Sequence, residues 1–248
     1  VDYSSHSIQE SYLIRYYSIY TDLAYKFFKK ILIENKDYFF IKRDLKFLFI
    51  GAGPGPEILA ACLALDHLLE EFDEFNPSSI LFIDLEGDSS WKYSRRILTY
   101  KQYKKLKNNN TDIDITWKQL WRNFNTSINI NELRFDLIYM QNFLNEVAHN
   151  ITGNNFINFL RRNLNINGIY ASSDGSGYTF VDNFFNSLSN QGLDILSNDF
   201  VHTRCNGDGN AFLDYIFTGA SGLIMTKNAR SDQRICKLIN NNDCEFPF

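Results

Sequence analysis

Phe47-Leu-Phe-Ile-Gly-Ala-Gly-Pro-Gly-Pro-Glu57 is the stretch that decides the fold. Apolar residues run straight into glycines at alternate positions, Gly51, Gly53 and Gly55, and Pro56 and Glu57 then open a segment that reads as a helix over 58–72. A buried strand that breaks into a glycine-rich turn and continues as a helix is the geometry of a nucleotide site. Without a Cβ, the turn lets a ligand approach the backbone. The helix start offers N–H groups that have no partner within the helix.

Outward from this turn, apolar runs and helical periodicity alternate. Upstream, Ile8, Tyr12, Tyr16, Ile19, Leu23, Phe27 and Ile31 recur at steps of three and four, which is one helical face. Downstream, strands are predicted over 80–83, 113–116, 135–140 and 169–172, with helices over 91–103, 154–164 and 181–188. Runs at 212–217 and 223–226, joined by Gly219-Ala-Ser-Gly222, read as an antiparallel hairpin, while 193–201 gives no clear state. Strands alternating with helices imply an α/β fold, doubly wound around a mostly parallel sheet, with the hairpin adding an antiparallel edge. The expected organisation is an N-terminal helical cap over residues 1–44, a core over 45–230 and a tail over 231–248.

Composition narrows the function classes. A chain of 248 residues can bury one large core. The net charge of −4 gives no global basic field, which favours a small-molecule or protein partner over nucleic acid while leaving a local basic patch open. Lys101, Lys104, Lys105 and Lys107 form such a cluster, read here as a solvated helix face. Cys62, Cys205, Cys236 and Cys244 have no paired metal-ligand spacing, so no metal is expected and a reducing, cytoplasmic compartment is. No apolar run reaches the roughly 20 residues of a membrane span. The chain starts at Val1, which leaves an N-terminal trimming open. Oligomeric state is not legible.

In such a sheet the ligand lies beyond the carboxyl ends of the strands. The second strand is expected to end at Asp84, with Leu85 and Glu86 behind it, and a carboxylate there can accept both hydroxyls of a ribose. The fourth leads into Gln141-Asn-Phe-Leu-Asn-Glu146, and the fifth into Ser172-Ser-Asp174. Pro56 stands where a dinucleotide fingerprint places its third glycine. Trp91 has two readings, flanking a ligand or packing at a helix start.

The motif from Phe49 to Glu57, followed by the acid Asp84 after the second strand, resembles the class I, Rossmann-like S-adenosylmethionine-dependent methyltransferases. The resemblance covers roughly residues 45 to 226 and implies a seven-stranded sheet with a C-terminal antiparallel hairpin strand. It implies S-adenosylmethionine as cofactor, with an unidentified N or O acceptor. Gly51, Ala52, Gly53 and Gly55 would pass under the methionine part, Asp84 and Leu85 would hold the ribose, Trp117 would border the adenine, and Gln141 and Asn142 would lie near the methyl. Glu57 would meet the ammonium group, or serve as an ordinary first-turn carboxylate. Tyr12, Arg15, Tyr16 and Asn145 would bind the acceptor, and Glu146, Asp174 and His149 are the candidate bases. Two other readings stay open: a catalytically silent binding or assembly protein of this fold, and an NAD(P)-dependent oxidoreductase.

Overall fold

The computed structural model describes residue 9 and residues 12–87, 91–130, 133–175, 177–205 and 227–239. A π-helical turn over Leu13–Tyr17 leads into α1 (Ser18–Glu34), and α2 (Lys36–Phe39) follows. Then come β1 (Asp44–Ile50), α3 (Pro56–Glu71), β2 (Ser79–Glu86), α4 (Lys92–Asn109), β3 (Asp114–Trp121) and β4 (Phe135–Gln141). The chain continues through α5 (Leu144–Val147), α6 (Gly153–Asn163), β5 (Leu164–Gly175), α7 (Thr179–Ser189), β6 (Leu193–Cys205) and β7 (Lys227–Leu238).

The seven strands lie in the order β3-β2-β1-β4-β5-β7-β6. β1 to β5 pair in parallel, and β7 runs antiparallel to both of its neighbours. β6 is therefore parallel to the first five, and the reversed strand is internal rather than the edge expected from sequence. The expected hairpin runs at 212–217 and 223–226 lie outside the described residues. The paired arms that are seen, β6 and β7, flank that segment. Residues 231–238, expected in a tail, belong to β7.

Alternation along the strands explains the layers. Phe47, Phe49 and Phe82 face one side of the sheet with Tyr139, against Phe27, Phe28 and Ile31 of α1 and the apolar side of α3. Leu48, Ile50, Ile83 and Ile138 face the other, against Phe156 and Phe159 of α6 and Phe184 and Phe185 of α7. So α1, expected in a cap, lies flat on the sheet as a layer helix, because its apolar stripe runs its whole length.

At the amino ends of the strands Asp136 is fully buried. Its carboxylate accepts from Lys42 Nζ at 2.7 Å, Tyr38 Oη at 2.8 Å, the Lys46 N–H at 2.9 Å and Asn165 Nδ2 at 2.8 Å. Four donors meet the cost of burying that charge and tie the end of α2 to β1, β4 and β5. The opposite end of the sheet is left for chemistry.

Candidate active site

A cavity of about 640 Å³ opens at the carboxyl ends of β1, β2 and β4, where the strand order reverses. Clefts of this size and placement are the usual home of a small ligand. Its floor is the glycine-rich turn. Gly51, Gly53 and Gly55 all have positive φ, at 68°, 51° and 83°. The Gly51 N–H donates to Leu85 O at 2.9 Å, carrying the β1–β2 ladder one step past the strand. A Cβ on Gly51 would sit 2.1 Å from Cδ2 of Phe143, so only glycine fits beneath that ring. Gly55 takes the left-handed N-cap position of α3, and Pro56 fills its first turn, where no N–H is needed.

The acid at the end of β2 is not the one expected. The ladder runs on through Glu86, pairing Asp84 with Phe49 on one side and Gln119 on the other. Asp84 is fully buried within the strand. Glu86, two residues on and facing the same way, lines the cavity and accepts the Gly53 N–H at 2.7 Å. The apolar run stops at Ile83, which made the strand look two residues shorter than it is. Trp117 is displaced for the same reason. β3 continues to Trp121, leaving Trp117 mid-strand with its ring 5.7 Å from that of Tyr103, while Asn123 and Phe124 line the cavity.

Of the other expected cofactor residues, Ala52, Glu57, Leu85, Gln141 and Asn142 line the cavity, and Gly55 sits behind it as a helix cap. Gln141 is braced between α1 and the sheet: its Nε2 donates to Tyr20 O at 3.1 Å, and its Oε1 accepts from Tyr139 Oη at 3.3 Å. Asn142 has φ 51°, an unusual backbone for a residue with a side chain and one that clusters at functional sites. Among the acceptor candidates Tyr12 lines the cavity, its ring 5.2 Å from Trp91, which lines it too. Tyr16 stacks on Tyr20 at 5.6 Å and touches Tyr12 at 5.2 Å. The Arg15 side chain lies outside the described residues. Asn145 donates its backbone N–H to Asp174 Oδ1 at 3.4 Å.

The three candidate bases separate. Glu146 lines the cavity, and its carboxyl is raised above the ordinary range by loss of water and then by the neighbouring Glu86 charge. His149 is exposed, with Nε2 3.1 Å from Asn150 Nδ2, and is not among the residues lining the cavity. Asp174 is fully buried beneath α5, accepting from Ser172 Oγ and the Asn145 N–H. It anchors the loop that carries Asn142, Phe143 and Glu146. Burial pushes its carboxyl up to about 6, against bonds from Ser172 and Asn145, the Arg234 charge and the Leu144 N–H, all of which lower it. Its folded value lies above the ordinary 3.8, so its contribution to stability is complete below about pH 4 and is lost as pH rises through about 6. At about 1.4 kcal/mol per unit, the loss is roughly 3 kcal/mol at most. Asp174→Asn is spared it: melting temperatures between about pH 4.5 and 7.5 show the variant gaining on the native protein as pH rises. A pH-independent difference refutes this.

Glu57, Glu86 and Glu146 give the cavity three carboxylates, and among the described residues no Lys, Arg or His lines it. Tyr12, Trp91, Phe124 and Phe143 supply aromatic walls. Among the described residues no group of three or more His, Cys, Asp or Glu is placed to hold a metal ion, and no helix is long and apolar enough to cross a membrane.

No family model matches the sequence, and no curated protein does. Solved structures share the fold. A provisionally assigned RNA methyltransferase from Pyrococcus horikoshii matches with a TM-score of 0.51 at 12% identity, over 88% of this chain and 85% of that one. An S-adenosylmethionine-dependent methyltransferase from Clostridium acetobutylicum matches with a TM-score of 0.47 at 11% identity, over 87% and 92%. A precorrin-6y C5,15-methyltransferase from Geobacter metallireducens matches with a TM-score of 0.46 at 13% identity, over 85% and 88%. At these identities the likeness is one of fold.

Proposed function

We propose that this chain, which has the fold of the class I methyltransferases, binds S-adenosylmethionine in the cavity above β1, β2 and β4 and transfers its methyl group. The acidic lining is the observation that carries this reading. The cofactor brings a sulfonium and an ammonium group, and three carboxylates with aromatic walls suit a cation. The same lining speaks against NAD(P), whose phosphates would meet like charge: among the described residues that line the cavity, the charged ones are Glu57, Glu86 and Glu146.

The residues divide the work. Glu86 accepts the ribose hydroxyls, the role expected of Asp84, because it is the acid that reaches the cavity. Glu57 serves the ammonium group, and the turn from Gly51 to Gly53 gives the backbone a close approach. Asn123 and Phe124 border the adenine in place of Trp117. When bound, the cofactor supplies a methyl group on a positively charged sulfur. The protein's task is then alignment and removal of the acceptor's proton. Glu146 is the candidate base that lines the cavity, and its raised proton affinity suits the role. Asn142, held in its strained backbone by a bond from its N–H to Ser173 O at 2.8 Å, positions the acceptor.

Thermal melts and calorimetry test the cofactor. S-adenosylmethionine at about 100 times its Kd should stabilise the fold by about 2.7 kcal/mol, with NAD(P) inert. Stabilisation by NAD(P) alone overturns the assignment. Binding without transfer of labelled methyl to any fraction of a cell extract would mark a silent binding protein.

A further inference from the structure

α4 concentrates charge in a way the rest of the chain does not. From Lys92 to Asn109 it carries seven Lys or Arg and no Asp or Glu. The chain as a whole has 25 basic against 29 acidic residues, so the remainder holds 18 against 29, a net of −11. The acidic pI thus hides a helix of opposite sign.

The described part of α4 shows how this charge is presented. Thr99, Gln102 and Leu106 are buried against the fold. Lys101, Lys104 and Lys105 are exposed, as are Ile97 at 56% and Tyr100 at 46%. Positions 97, 100–101 and 104–105 share one helical face. Lys104 Nζ lies 5.4 Å from the centre of the Tyr100 ring. The face is set apart by its single sign of charge, with an aromatic ring exposed among the lysines. The β3 edge of the sheet adds exposed Lys118 and Arg122. Both elements lead to the cavity: Trp91 precedes α4 and Asn123 follows Arg122, and each lines it.

We propose that the outer face of α4, with the β3 edge, binds a nucleic acid strand. The lysines and Arg122 meet the phosphates, and Tyr100 offers a ring for base stacking. Charge complementarity and the interleaved exposed aromatic select this partner over an acidic protein. This surface stands whether or not the cavity transfers a methyl group.

Fluorescence anisotropy of the full chain with labelled single strands of RNA and of DNA, about 20 nucleotides long, tests it. Kd should rise steeply between about 50 and 200 mM KCl, with a slope near 0.7 per phosphate contacted. The triple variant Lys101→Glu/Lys104→Glu/Lys105→Glu should raise Kd at least tenfold and flatten the slope by about 2. Tyr100→Ala should weaken binding severalfold with the slope unchanged. Lys36→Glu, a charge reversal of an exposed lysine on α2, should leave it alone. Melting temperature reports folding of each variant. No binding to either strand, binding indifferent to the triple variant in a folded protein, or binding to phosphatidylserine vesicles alone overturns the proposal.

Discussion

Glu86→Ala should raise the Kd for S-adenosylmethionine roughly 100- to 10,000-fold while leaving the fold intact. A charged carboxylate accepting two ribose hydroxyls is worth about 1.5–3 kcal/mol per bond, and each 1.4 kcal/mol is a factor of ten. Glu86 is half-buried at the rim, so its removal leaves no buried hole. Asp84→Asn makes the contrast. It alters a fully buried strand position and should lower the melting temperature while shifting Kd by no more than a few-fold. Calorimetric titration of both variants decides between the two acids. Loss of binding in Asp84→Asn, with Glu86→Ala unaffected, returns the ribose role to Asp84.

Gly51→Ala should destabilise the protein by about 2–5 kcal/mol. Two costs add: a left-handed backbone for a residue with a Cβ, at about 1–2 kcal/mol, and displacement of the Phe143 ring, at about 1–3 kcal/mol for overpacking. They can be separated. Gly51→Ala combined with Phe143→Ala loses the overlap but keeps the backbone strain, so it should be more stable than the two single losses predict together, by about 1–3 kcal/mol. Chemical denaturation of the four proteins measures the difference. Strict additivity would mean that ring and turn do not press on one another.

Much of this was legible in the sequence, for physical reasons that differ by element. β1 and β4 are buried on both faces, so their residues are apolar nearly throughout and announce themselves. The turn after β1 is written in glycines because its backbone demands positive φ. β7 is also largely buried over residues 231–236, yet the strand's sequence, Lys-Asn-Ala-Arg-Ser-Asp-Gln-Arg-Ile-Cys-Lys-Leu, does not look it. Two of its buried positions, Ser231 and Arg234, hold polar groups with partners from elsewhere in the chain. Ser231 Oγ lies 2.7 Å from Ser173 Oγ, and Arg234 bonds Asp182 at 2.5 Å while lying over the Phe185 ring at 4.6 Å. Hydropathy cannot anticipate pairings made across 50 residues and more. The site splits the same way. The turn, Glu57, Gln141, Asn142 and Glu146, which line the cavity, were legible as candidates because they follow recognisable strands. Glu86, Asn123 and Phe124 were not singled out as lining residues, because β2 and β3 outrun their apolar cores.

The net charge is likewise a whole-chain average, and the proposed strand-binding face departs from it. Averaged over the chain it argues against nucleic acid, but a partner meets a surface, and α4 gathers the positive charge on one.

The internal position of β7 has a consequence for how the protein is made. Residues 51 to 147, which supply every described cavity-lining group except Tyr12, leave the ribosome before β7 does. Among the described residues β6 has no neighbour but β7, and β7 is the last strand. The sheet therefore waits, with β5 as a bare edge, until residue 238 has emerged. Over that interval the nascent chain holds a nearly complete floor beside an open seam. Ser231 then arrives to bond the Asp174 carbonyl at 3.1 Å. Because Asp174 also holds the loop bearing Glu146, the bond from Ser231 couples the β5–β7 seam to the candidate base.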